Sequence, residues 1–278
     1  MTAAGREGGR RGARTVSPAL AVLVALAGTG CGGDRTGGPR GTPQSVIKAA
    51  PAHTRAAGTA RVDIGVGEEL AGTGVVRFQG DTLQAGLRLE PVRASAVVGG
   101  PVDVVLDGVK AWVRASPPGA GSWLQGTLPM LAGTAASRLG AGPAVAELLR
   151  RPGAGLEMAA LYGATDSETY GGAEVRGAST IRYHLHVDLE RAAEAVVSGG
   201  GPAVLAAELR AAAAEGAPRF PADVWIDGRG RVRRLQIPVD PTATVTTVSA
   251  DNVPFGVITV DLFDFGVPAA LRDPGVGG

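Results

Sequence analysis

From residue 58 onward, apolar side chains recur at every second position, and this alternation constrains the fold more than any other feature of the chain. Val62, Ile64 and Val66 alternate with Arg61, Asp63 and Gly65. Ile181, Tyr183, Leu185 and Val187 point one way while Arg182, His184, His186 and Asp188 point the other. Ile258, Val260 and Leu262 alternate with Thr259, Asp261 and Phe263. A period of two belongs to a half-buried β-strand, with one face on a core and one in water. Further strand patterns cover 74–79, 82–90, 92–98, 103–106, 109–114, 169–176, 223–227, 231–237 and 242–250. Asp107–Gly108 reads as a type I′ hairpin turn, and Gly228–Arg229–Gly230 joins another strand pair. Such tight turns impose antiparallel pairing.

Helical spacing is confined to a few places. Thr42 caps and Pro43 opens a helix with Val46, Ile47 and Ala50 on one face, which Pro51 kinks or ends. Between residues 124 and 161, Leu128, Leu131, Leu139, Val145, Leu148, Leu149, Leu156 and Leu161 recur at helical intervals broken by Gly and Pro, giving two or three short helices. Asp188 opens a helix that ends near Ser198, and Pro202 starts another that runs to Glu215 and stops at Gly216. No solenoid repeat is present. Strands that segregate from helices in this way predict an α+β fold: a large curved antiparallel sheet with helices packed on its concave face. Strong curvature leaves a space between the two layers.

The first forty residues read differently. Arg6, Arg10, Arg11 and Arg14 form a basic segment, followed by the ten-residue apolar run Pro18–Ala27. That run is too short for a hydrocarbon core of roughly 30 Å, which needs about 20 residues, and it suits the apolar region of a signal peptide. Gly28, Thr29 and Gly30 lead into Cys31, the only cysteine, so no intrachain disulfide can form. The arrangement resembles a bacterial lipobox, in which the cysteine takes a diacylglycerol and becomes the new N-terminus. Gly28 departs from it, standing where Leu is usual, and plain secretion with an unmodified thiol is the alternative. Two acyl chains or more hold a soluble domain at a bilayer. Residues 32–41 carry little but Gly and charged side chains and read as a tether.

Other signals weigh less. The net charge of +1 gives no reason to expect nucleic acid as a partner. His184 and His186 share a strand face at metal-ligand spacing, but no cysteine remains to join them and His53 is the only other histidine, so they are read as solvent-facing and no metal is expected. Asp264-Phe265-Gly266 matches a kinase tripeptide by chance, since the other kinase signatures are missing. Arg229, Arg231, Arg233 and Arg234 cluster around a hairpin and read as a solvated face, with anionic lipid headgroups as the alternative. Trp112, Trp123 and Trp225 are expected in the core rather than at a cavity mouth. No nucleophile elbow, P-loop or HExxH motif occurs, so neither an enzyme nor a cofactor is expected.

Several stretches together resemble the actinobacterial LprG/LppX-type lipoproteins, relatives in fold of the LolA carrier. They are the lipobox with its Gly-rich tether, Thr180–Leu189 (TIRYHLHVDL), Pro221–Leu235 (PADVWIDGRGRVRRL) and the acidic-aromatic end Asp261–Phe265. The resemblance covers about residues 42–266. It implies a half-barrel, LolA-like, with a cavity between sheet and helices that holds the acyl chains of lipids or glycolipids, and it brings no catalytic residues. Four segments are expected: a signal peptide at 1–30, a lipidated cysteine and tether at 31–41, a LolA-like domain at 42–268 and a disordered tail at 269–278. The expected function is to bind acyl chains at the extracytoplasmic face of the membrane and assist their transport across the envelope. The partners expected are a lipid or glycolipid, the membrane through the anchor, and an unidentified protein of an export system. A sensor or protein-docking lipoprotein is the alternative. The residues nominated for the cavity lining are Val62, Ile64, Val66, Leu131, Leu139 and Leu148, with Ile181, Tyr183, Leu185, Ile258 and Val260. The same aliphatic composition also suits a filled core.

Overall fold

Among the described residues the chain forms eleven strands, β1 (Thr59–Val66), β2 (Leu70–Gln79), β3 (Thr82–Pro91), β4 (Val102–Asp107), β5 (Lys110–Ala115), β6 (Leu124–Gly126), β7 (Ala164–Val175), β8 (Ala178–Asp188), β9 (Arg219–Asp227), β10 (Val232–Pro238) and β11 (Val257–Phe263). The computed structural model describes residues 41–79, 82–92, 100–108, 110–115, 122–128, 130–132, 143–150, 158–215, 218–238 and 256–271, all within a compact unit spanning 36–278. The strands make one antiparallel sheet in the order β6-β5-β4-β3-β2-β1-β11-β10-β9-β8-β7. Two meanders, β1–β6 and β7–β11, are therefore zipped together where β1 pairs with β11, from Arg61↔Phe263 to Val66↔Ile258. Helices among the described residues include α1 (Pro43–Arg55), α2 (Pro143–Arg150), α3 (Leu189–Ser198) and α4 (Ala203–Glu215), with a 3-10 segment at Met158–Gly163. The fold is α+β, as the segregation of strands and helices implies.

One face of the sheet is mainly aliphatic from β8 to β4. Tyr183, Val224, Leu235, Val260, Ile64, Gly72, Leu89 and Val102 are register partners in a single transverse row. A Cβ on Gly72 would stand 2.6 Å from Leu89 Cδ2, so the Leu89 side chain fills the space that glycine leaves. This face joins the helices in one apolar core that includes Ile47 of α1, Leu148 and Leu149 of α2, Leu161, Ala192 and Ala193 of α3, and Leu209 of α4. Burying each large aliphatic contributes roughly 1.5–3 kcal/mol, which makes this layer the main source of stability.

Local chemistry sets the helix ends. The Thr42 side chain accepts from the Ser45 amide at 3.3 Å and Pro43 takes the first helical position. Asp188 caps α3 by accepting from the Arg191 amide at 3.0 Å. Pro51 does not end α1, which runs on to Arg55. The reason is tertiary: Pro51 and Thr54 are buried, and the Thr54 hydroxyl donates to Ala50 O at 2.7 Å while accepting from the Val232 amide of β10 at 2.9 Å. That link ties the last turn to the sheet despite the hydrogen bond proline removes.

Other boundaries also differ. Leu124–Gly126, expected to be helical, pairs with the edge of β5. β2 starts at Leu70 and β7 at Ala164, earlier than the apolar alternation indicates, because glycines in one and polar residues in the other hide the period. Asp107 pairs with Lys110, so the two-residue turn starts at Gly108, with φ +59°, one residue later than expected. The expected strands at 92–98 and 242–250, the Gly216 stop, Leu139, Leu156 and the segment through Cys31 fall wholly or mainly outside the described residues.

Candidate functional site

Apart from Leu139, which lies outside the described residues, the nominated cavity residues come together in the apolar layer. Tyr183, Val260 and Ile64 share the row just described, and Val66, Ile258 and Ile237 form the next one. Leu148, Leu185, Ile258 and Val260 are fully buried, as is Val62, while Leu131 and Tyr183 are nearly so. Burial raises the Tyr183 pKa above its ordinary value. Ile181 is half-buried and packs against the same core. Among the described residues no helix is long and apolar enough to cross a membrane.

The opposite face carries a second transverse row with different chemistry. Arg182, Trp225, Arg234, Asp261, Asp63, Thr73, Arg88, Asp103 and Arg114 are successive register partners from β8 to β5. Basic, acidic and aromatic side chains thus meet across neighbouring strands, where cross-strand pairs interact directly. Arg234 forks onto Asp261, with Nε at 2.6 Å from one oxygen and Nη2 at 2.8 Å from the other. This pairing raises the Arg234 pKa, against the effect of burial. Arg182 donates to Asp223 at 2.8 Å, and His184 Nδ1 lies 2.9 Å from the same buried carboxylate. Trp225 is buried between the guanidinium carbons of Arg182 and Arg234, 5.0 and 5.7 Å from its ring centroid. At the far end Arg114 covers the Trp123 ring at 4.4 Å and bonds Asp103 at 3.2 Å.

β7 folds over this face. Its pairing with β8 shifts register between Thr165 and Glu168 and again between Thr169 and Gly171, and such bulges bend an edge strand. At the hairpin tip Arg176 and Gly177 take φ of +48° and +75°, the left-handed pair that a type I′ turn requires. Arginine in that conformation is uncommon. It is held there because Arg176 reaches across to Asp63 and to Asp261, at 3.3 Å from the latter, and covers the Phe263 ring at 4.4 Å. Between the overhanging strand and the charged row lies a cleft of about 590 Å³. Its polar walls include Arg176, Arg182, Arg234, Asp63, Glu174 and Asp261. Tyr170 and Trp225 add aromatic surface, Gln236 and Thr259 add neutral polar groups, and Gly65, Ala71, Gly171 and Gly172 keep it open.

No family model and no curated protein matches the chain. Solved structures do. LprF from Mycobacterium bovis matches at 14% identity and a TM-score of 0.45, covering 86% of this chain and 99% of its own. The lipoprotein LppX from Mycobacterium tuberculosis matches at 15% identity and a TM-score of 0.45, covering 82% and 97%. LppX is of the type that the sequence patterns resemble.

The outer face corrects several sequence readings. Of the three tryptophans only Trp225 is buried, and it lies among arginines on the outer face, outside the aliphatic core; Trp112 and Trp123 are half-buried. The Arg229–Arg234 cluster is mostly neutralised rather than solvated. Asp227 accepts from Arg231 at 2.9 Å, from Arg233 at 2.8 Å and from the amides of Arg229 and Arg231. Arg233 and Arg234 share the outer face because the β9–β10 register shifts between Val232 and Arg234. Phe265 of the Asp-Phe-Gly tripeptide receives Arg231 and Arg233 over its ring at 4.5 and 4.8 Å. The cleft has no single-residue signal in the sequence. Only the alternation of Arg, Asp and Trp on outward positions of the strands hints at it.

Proposed function

We propose that this chain is a lipoprotein tethered through Cys31 at the extracytoplasmic face of a membrane, and that its apolar layer takes up acyl chains of a lipid or glycolipid and assists their transfer. The observation that carries the reading is the aliphatic inner face, continuous from β8 to β4 and packed against the Ala-, Val- and Leu-bearing faces of the helices. Acyl chains leave water at roughly 0.8 kcal/mol per CH₂, so a layer that opens between sheet and helices would hold them without any polar contact. Ala, Val and Leu dominate that layer, and they leave more room than aromatic side chains. The reading contains no catalytic step.

A second reading is a lipoprotein of the same fold that senses or docks and carries nothing. The complete burial of Leu148, Leu185, Ile258 and Val260 favours it, because a filled layer has no space for a ligand. Native mass spectrometry followed by organic extraction separates the two. The compact 36–278 unit, expressed in a lipid-containing bacterial host, is expected to retain one or more stoichiometric lipids. Ile64→Trp, which adds bulk in the middle of the inner row, is expected to lower that occupancy while leaving the unfolding transition in place. A clean apo mass, unchanged after incubation with envelope lipids, would leave the sensor or docking reading.

A further inference from the structure

We propose that the cleft beneath β7, on the sheet face away from the helices, binds a neutral saccharide of one or two rings. Three observations lead there, and none depends on a lipid in the apolar layer. The first is charge balance. Three arginines (Arg176, Arg182, Arg234) and three carboxylates (Asp63, Glu174, Asp261) line the cleft together, and Asp223 already holds Arg182. An anionic ligand would compete with the protein's own carboxylates for every guanidinium.

The second observation is the mixture of partners. Guanidinium groups donate only, carboxylates accept only, and Gln236 and Thr259 do both. Gln236 already donates to the Thr259 hydroxyl at 3.2 Å, which fixes the orientation of both. A surface that sets donors beside acceptors at short spacing suits a ligand whose groups donate and accept at once, and a ring of vicinal hydroxyls is such a ligand. An acyl chain in the same place would strip water from these charges and return no hydrogen bond.

The third observation is aromatic surface next to small residues. Tyr170 is 61% exposed at the mouth of the cleft, a large exposure for an aromatic held on an ordered strand. It is placed there by the bulge before Gly171 and by its edge contact with His184 at 5.9 Å. The C–H face of a pyranose stacks on such a ring, while Ala71, Gly171 and Gly172 leave room for the edge carrying the hydroxyls. The volume of about 590 Å³ falls within the range of about 300–1,000 Å³ usual for small-ligand sites.

The test uses the full chain in a detergent without a sugar headgroup. Saturation-transfer NMR and calorimetry are run against methyl glycosides of glucose, galactose, mannose and N-acetylglucosamine, with maltose and chitobiose. At least one member is expected to bind with a Kd of about 1 mM or tighter, with saturation concentrated on one C–H face. Tyr170→Ala is expected to weaken that binding about tenfold. Ala71→Trp, which fills the cleft from an exposed position on β2, should abolish it, and Val204→Ala on the exposed side of α4 should leave it unchanged. Should Ala71→Trp fail to give the parent circular dichroism spectrum, Tyr170→Ala decides, since its side chain lies at the surface. Binding by none of the panel overturns the proposal. So does binding that survives Tyr170→Ala and Ala71→Trp, or binding seen with glucose 6-phosphate and inositol phosphates but with no neutral sugar.

Discussion

The inner and outer faces of the sheet are built from the same strands and the same alternation, yet they hold the molecule together by different physics. The inner row from Tyr183 through Val260 and Ile64 to Val102 is aliphatic apart from Tyr183 and Gly72. Its attraction is non-directional, so a neighbour of similar volume serves nearly as well. The outer row from Arg182 to Arg114 works only in one register: Arg234 must oppose Asp261 and Asp103 must oppose Arg114. A slip of one residue would turn Asp63 and Asp261 into the core. The inner face therefore supplies most of the stability and the outer face most of the specificity of strand pairing, and the seam where β1 meets β11 needs both.

Substitutions on the two faces should separate these roles. The largest effect is expected from Leu185→Ala, which empties a fully buried position of the inner face and should cost about 2–5 kcal/mol in urea unfolding. A cost below about 1 kcal/mol would mean that the layer is already open at Leu185, which would sharpen the carrier reading. Next comes Asp261→Ala. It leaves Arg234 and Arg176 facing each other without their shared carboxylate, and should cost about 2–4 kcal/mol. The double variant Asp261→Leu with Arg234→Leu should recover much of that loss. A single-variant cost under about 0.5 kcal/mol, the level of an exposed pair, would remove the row from any role in register.

Acid titration gives a smaller effect with a defined sign. Burial alone would push the Asp227 carboxyl up, but the Arg231 amide and the Arg231 and Arg233 side chains outweigh it and hold its pKa below the ordinary carboxylate value. A group depressed in the folded state contributes fully above its unfolded pKa of about 4 and loses that contribution as pH falls through the lower folded value. Asp227→Asn should thus lower stability at pH 7 by about 1–2 kcal/mol and flatten the loss between the two pKa values. An unchanged acid limb would show that Asp227 does not carry it.

The inner face was legible in the sequence because a period of two is a local property. Val62, Ile64, Val66, Tyr183, Leu185, Ile258 and Val260 could each be assigned to the buried side from a few neighbours, and the structure buries all of them. The outer row was not legible, since it depends on which strands pair and in what register, and Asp63 and Asp261 come from opposite ends of the domain. The bulge at Arg233 hid it further: two consecutive arginines on one face contradict strict alternation. Of the two outcomes Pro51 allowed, a kink or an end, the structure excludes the end, because the contact of Thr54 with β10 holds the last turn in place. The cleft requires both the register and the overhang of β7, whose polar sequence gives no strand signal before residue 169.

The smallest effect tests how dry the outer face is. His186 sits on β8 two residues from His184, and its Nδ1 is buried with no hydrogen-bond partner among the described residues. Burial first, then Arg219 and His184, hold its pKa below the ordinary imidazole value, while Asp166 pulls the other way. As pH falls below about 6.5 the unfolded chain takes up a proton first, so the folded state loses stability until its own lower pKa is passed. His186→Val removes both the unpartnered nitrogen and this slope, and valine suits a strand. Unfolding at pH 7.5 should then change by no more than about 0.5 kcal/mol, in either direction, while the decline between pH 6.5 and 5 becomes shallower than in the parent. If the two declines superimpose, His186 is solvated as freely as in the unfolded chain. The β8 end of the charged row would then be wet, and its dry part would begin at Trp225.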